Sequence, residues 1–155
     1  MRSSSIAALV ALLLSAQGGD AKPMSQKELA EFLGPVSAQK IAWTKTVGSD
    51  FDAYAGRAQS PLSGTVNIHI GGWPHFKRDG KSTTVAGRLG MFPLTWHRKV
   101  APDGTISQEA ALKLYDAWKV DIWLEAKRQS DIDGMIAIIS NLPTFTEKPR
   151  PVTPR

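Results

Sequence analysis

The stretch Trp118-Lys119-Val120-Asp121-Ile122-Trp123-Leu124-Glu125-Ala126 decides the fold. Trp118, Val120, Ile122, Leu124 and Ala126 recur at every second residue, with Lys119, Asp121, Trp123 and Glu125 between them. A period of two places the sets on opposite faces of a pleated strand, one apolar and one mostly polar. Trp123 breaks the polar set. It predicts either a cover over that face or an aromatic side chain exposed for contact.

The same period recurs upstream. Val66, Ile68 and Ile70 alternate with Thr65, Asn67 and His69, and Ile41, Trp43, Lys45 and Val47 alternate with Ala42, Thr44 and Thr46. Gly48-Ser49-Asp50 is a turn into Phe51, Ala53 and Ala55, which alternate with Asp52, Tyr54 and Gly56 and predict a hairpin. Val85, Gly87 and Leu89 form a further strand, and Leu94, Trp96, Arg98 and Val100 another, with Thr95, His97 and Lys99 on its polar face. Residues 107–115 read two ways. Ser107 can cap a helix holding Ala110, Ala111 and Leu114, while Leu112 and Leu114 also suit a strand.

Helical patterns flank these strands. Ser25 and Glu28 fit a capping box ahead of Leu29, Phe32 and Leu33, and Gly34-Pro35 stops the run. At the other end Ser130 or Asp131 caps a helix presenting Ile132, Met135, Ile136, Ile139 and Leu142, which Pro143 ends. The expected class is α+β: a single, mostly antiparallel sheet of about five to six strands packed against N-terminal and C-terminal helices. Residues 22–145 form one domain, and residues 146–155, with Pro149, Pro151 and Pro154, form a flexible tail.

Ahead of residue 22 lies a different pattern. Arg2 and three serines precede the apolar run of residues 6–14, and small and polar residues follow to Ala21. This is the order of a secretory signal peptide, with cleavage expected after Ala21, or alternatively after Ala16. The apolar run is too short to span a bilayer, which takes about 20 residues, and no later stretch is longer. The expected location is the periplasm or the exterior. The 155-residue chain has no cysteine, which removes thiolate chemistry and requires ordinary packing to hold the domain. The formal charge of +5 favours an anionic surface or polymer. Arg88, Arg98, Lys99 and the Lys77-Arg78 pair form no basic stripe interleaved with aromatics, so nucleic acid is not the expected partner.

No catalytic, cofactor-binding or metal-ligating pattern stands out. Gly-x-Ser-x-Gly and His-Glu-x-x-His are absent, and Gly71-Gly72 lacks the Lys-Ser/Thr of a phosphate loop. Asp121 and Glu125 would lie about 13 Å apart along one strand, too far for a carboxylate pair. The expected binding surface is the segment Gly71-Gly72-Trp73-Pro74-His75-Phe76 with the polar sheet face: Trp73, His75, Phe76, His69, His97 and Trp123, with Tyr54 beside them. Were strand pairing to bring His69, His75 and His97 together, three imidazoles would suffice for a zinc, with Asp121 or Glu125 as a fourth ligand.

The order of short helix, antiparallel strands and closing helix after Trp118-x-Val120-x-Ile122-Trp123-Leu124-Glu125-Ala126 resembles small exported proteins of the PsbP/Mog1-like α-β-α fold. That resemblance spans most of residues 25–145, rests on element order, and implies an accessory or binding role without carrying over any functional residue. The expected function is a noncatalytic periplasmic or secreted binding protein, contacting a partner protein or envelope polymer and needing no cofactor. The alternatives are a histidine-dependent metal-binding hydrolase and an exported inhibitor or immunity-type protein using residues 77–81.

Overall fold

The computed structural model describes residues 22–23, 27, 40–71, 81–114 and 118–146. The expected signal peptide, nearly all of the expected N-terminal helix, the segment 72–80 and the tail beyond Thr146 lie outside the described residues.

Alternating sequence becomes antiparallel sheet throughout. The strands are β1 (Lys22–Pro23), β2 (Ile41–Val47), β3 (Phe51–Ala58), β4 (Thr65–Gly71), β5 (Thr83–Leu89), β6 (Phe92–Val100), β7 (Ile106–Leu114) and β8 (Trp118–Ala126). They form one sheet in the order β1-β2-β3-β4-β8-β7-β6-β5, every neighbouring pair antiparallel. The fold is therefore α+β with a larger sheet than the five or six strands expected. Part of the difference is β7. Its helix-favouring Ala110-Ala111 pair is overridden because the segment lies between β6 and β8 and buries Ile106, Gln108, Ala110 and Leu112 at a period of two.

Two meanders make up the sheet, β1 to β4 and β5 to β8, joined where β4 pairs with β8. One face is the core. Successive cross-strand rows bring Trp43, Gly56, Val66 and Leu124 into line, then Tyr54, Ile68, Ile122 and Ala110. Val66, Ile68, Val120, Ile122 and Leu124 are all at most 1% exposed. Gly56 is bare because its neighbours fill the space: a side chain there would reach within 2.7 Å of Ile41, 2.9 Å of Val66 and 3.0 Å of the Trp43 ring.

The core face is covered by α1 (Gln129–Ile139) and α2 (Pro143–Thr146). Ile132, Met135 and Ile139 turn to the sheet at helical spacing, and Leu142 and Phe145 continue the stripe, all fully buried. The chain leaves β8 beside Ile106 and Val100, and ends this run at the opposite edge of the strands. There Met91 N–H donates to the Phe145 carbonyl at 3.0 Å in the β5–β6 turn. Gly90 holds φ +56° in that turn, and any Cβ on it would collide with the Phe145 carbonyl.

Both helix ends differ from the sequence reading. Arg128, not Ser130 or Asp131, is the N-cap, and it makes no side-chain capping bond. The Asp131 carboxylate is instead engaged by the Arg128 guanidinium through two bonds of 2.9 Å, one to each oxygen, while 1% exposed. Pro143 does not end α1, which stops at Ile139. Pro143 starts α2, where its missing N–H costs nothing. Two side chains are also placed differently. Tyr54 lies on the core face, 7% exposed beneath Lys45 Nζ, rather than with Trp123 and His97. Val85 faces the same way as the core yet stays 47% exposed, because β5 is the sheet's edge.

Truncating Phe145 to alanine removes the plug between α2 and the β5–β6 turn. The expected loss is about 3–5 kcal/mol, measurable as a lowered urea midpoint with an unchanged slope.

Candidate functional site

The face opposite the two described helices carries Thr46, Ala53, His69, Asp121 and Trp123 in its interior. These residues are 4%, 9%, 4%, 5% and 8% exposed. Register places His69 opposite Ala53 on β3 and Asp121 on β8, and Trp123 opposite Asn67 on β4 and Glu109 on β7. Trp123 is therefore covered rather than presented for contact.

His69 is the most unusual of these side chains. Its ring stacks on Phe51, with centroids 4.9 Å apart and planes at 23°. Among the described residues neither Nδ1 nor Nε2 has a hydrogen-bond partner. Burial pushes its pKa down from 6.5 to about 4; the Asp50 charge opposes this, and Lys119 adds to it. Lys119 Nζ lies 3.6 Å from the Asp121 carboxylate, so the neighbouring acid is paired with a lysine. At neutral pH His69 is an uncharged ring in an aromatic stack.

His97 takes the other half of the face. It lies on β6 opposite Thr84 and Glu109, half-buried, with Nδ1 3.5 Å from Ser82 Oγ. Since β8 and β7 intervene between β4 and β6, and His97 lies in the row of Asn67, two residues along from His69, the two imidazoles stand about 16 Å apart. Strand pairing thus does not bring these two imidazoles together. Asp121 does meet His69 across the β4–β8 pair, whereas Glu125 sits two rows away, opposite Thr65 and Ser107. Burial raises the Glu125 carboxyl above its ordinary value, and the Asp103 charge adds to that. Among the described residues no group of three histidine, aspartate or glutamate side chains could hold a metal ion. Trp73, His75 and Phe76 lie outside the described residues.

Asp50, Phe51 and Lys119 shape the surroundings of His69 and had no signal in the sequence. They reach it through a turn and through the long-range β4–β8 pairing. The open part of the face was equally hidden, because it depends on which strands end at the edge. Thr84, Ala86, Arg88, Thr95 and Lys113 are exposed there, and His97, Lys99 and Glu109 are half-exposed. Among the described residues no helix is long and apolar enough to cross a membrane.

His69 predicts an acid-sensitive fold. Its folded pKa is depressed, so between pH 6.5 and about 4 the unfolded chain binds a proton that the folded chain does not. The His69 contribution to stability should fall as pH drops through that window and level off below it. The expected effect is on the order of 2 kcal/mol, allowing for residual screening. Urea titrations from pH 7 to pH 4 check this. A His69→Leu variant should lose this part of the slope.

Compared with family models, with curated proteins and with solved structures, the chain matches none.

Proposed function

We propose that this chain is an exported, noncatalytic binding protein that docks an anionic surface, on a partner protein or an envelope polymer, against the open half of its polar sheet face. The observation that carries the reading is the uneven cover of that face. Over β3, β4 and β8 its interior is buried, while over β5 to β7 Arg88, Lys99, Lys113 and His97 are accessible, with Glu109 the one carboxylate among the described residues of that half. Strands hold the backbones of these cations at fixed spacings, so binding a partner orders their side chains but requires no backbone ordering. A chain with formal charge +5 is drawn to such a partner before contact.

Export is the second part of the reading. The basic, apolar and small-residue order of residues 1–21 supports it, with processing after Ala21. The next residue, Lys22, opens β1 and is held against Lys45 of β2, so a processed N-terminus would be tied to the sheet.

Retention on immobilised poly-L-glutamate tests the docking face. The native chain should be retained and should elute with rising salt. A triple variant, Arg88→Glu with Lys99→Glu and Lys113→Glu, should bind at least about tenfold more weakly while keeping its melting temperature. Unchanged retention of the folded variant would remove this face from the proposal. For export, N-terminal sequencing of protein from the cell envelope or medium should begin at Lys22.

A further inference from the structure

We infer that the chain forms a symmetric dimer in which β5 pairs antiparallel with β5 of a second copy, continuing the sheet across a two-fold axis at Ala86. The two edges of the sheet are unlike. At one, β1 sits over β2 and brings Pro23, which has no backbone N–H to offer. At the other, β5 is seven residues long and, among the described residues, pairs only on its β6 side. A strand left this way offers a row of backbone donors and acceptors to another chain. Edges are usually blunted by charged side chains, especially lysine, or by proline, a bulge or an inward charge; the one charge on β5, Arg88, donates instead to the Met91 carbonyl of the adjoining turn at 2.9 Å. The β5 sequence Thr83-Thr84-Val85-Ala86-Gly87-Arg88-Leu89 contains no proline or lysine, pairs with β6 in unbroken register, and leaves Thr83, Thr84, Val85 and Ala86 exposed.

A second copy fits this edge because the segment complements itself. Antiparallel pairing centred on Ala86 uses all seven residues: Ala86 faces its own counterpart, Val85 faces Gly87, Thr84 faces Arg88 and Thr83 faces Leu89. The one charge on the strand therefore meets a threonine and not its own copy. On the core side, Val85 is 47% exposed, and Gly87 has no side chain because the Trp96 indole occupies its space, 2.7 Å from where a Cβ would be. In the dimer each Val85 covers the other copy's Gly87. Small Ala86 at the axis allows close approach on the opposite face. The pairing does not depend on the proposed docking face, although it would set two such faces side by side.

The absence of cysteine makes the register testable with single introduced thiols. Directly paired strand residues have Cα atoms about 4.5–5.5 Å apart, within disulfide range. An Ala86→Cys chain should therefore oxidise to a covalent dimer. In a Thr84→Cys chain the two thiol-bearing residues stand about 13 Å apart and should not cross-link. Sedimentation equilibrium of the native mature chain should show a concentration-dependent dimer. Val85→Lys, at a half-exposed edge position, should weaken it at least about tenfold, while the melting temperature measured at concentrations where both chains are monomeric is retained. A native chain that remains monomeric, an Ala86→Cys chain that fails to cross-link, or equal cross-linking from Thr84→Cys would each overturn the proposal.

Discussion

The pairing of β4 with β8 joins strands whose sequences are some fifty residues apart, and it places Val66 beside Leu124, Ile68 beside Ile122 and Ile70 beside Val120. Without it the chain would be two meanders, each with an oily face too narrow to exclude water. With it, the rows run unbroken across the sheet and α1 has a continuous surface to lie on. The same pairing brings Asp121 to His69 and Trp123 to Asn67, so the buried part of the second face follows from the step that builds the core.

Much of this arrangement could be read from residue order. Alternation marked β2, β3, β4, β5, β6 and β8, and the stripe of Ile132, Met135 and Ile139 marked α1, because side-chain direction along a strand or helix is a local property. What resisted reading was non-local or competitive. In β7 local propensity and tertiary pairing pointed different ways, and pairing prevailed. Asp131 looked like a cap because acidic residues favour a helix start, but the neighbouring Arg128 offered its carboxylate two charge-assisted bonds. In β3 both alternate sets contain apolar residues. Only register against Trp43 and Ile68 reveals that Tyr54 belongs to the core and Phe51 to the other face.

The candidate surface was legible by face but not by distance. His69, His97 and Trp123 all lie on the side opposite α1, as their strand positions required. Their separation and burial depend on strand order, which a single sequence does not encode locally. The consequence is a face with two chemical characters. Its interior holds a neutral, depressed-pKa histidine stacked on Phe51, and its margin holds accessible cations.

The position of the helical cover in chain order has a further effect. All eight described strands precede Ile132 and Phe145 in the chain, so a nascent polypeptide exposes every sheet-forming segment before the residues that shield its greasy side are made. Holding factors that bind unfolded segments would find their best target in that interval, between emergence of Ala126 and seating of Phe145 on the Gly90 turn. Phe145 is thus the last of the described core residues to be made.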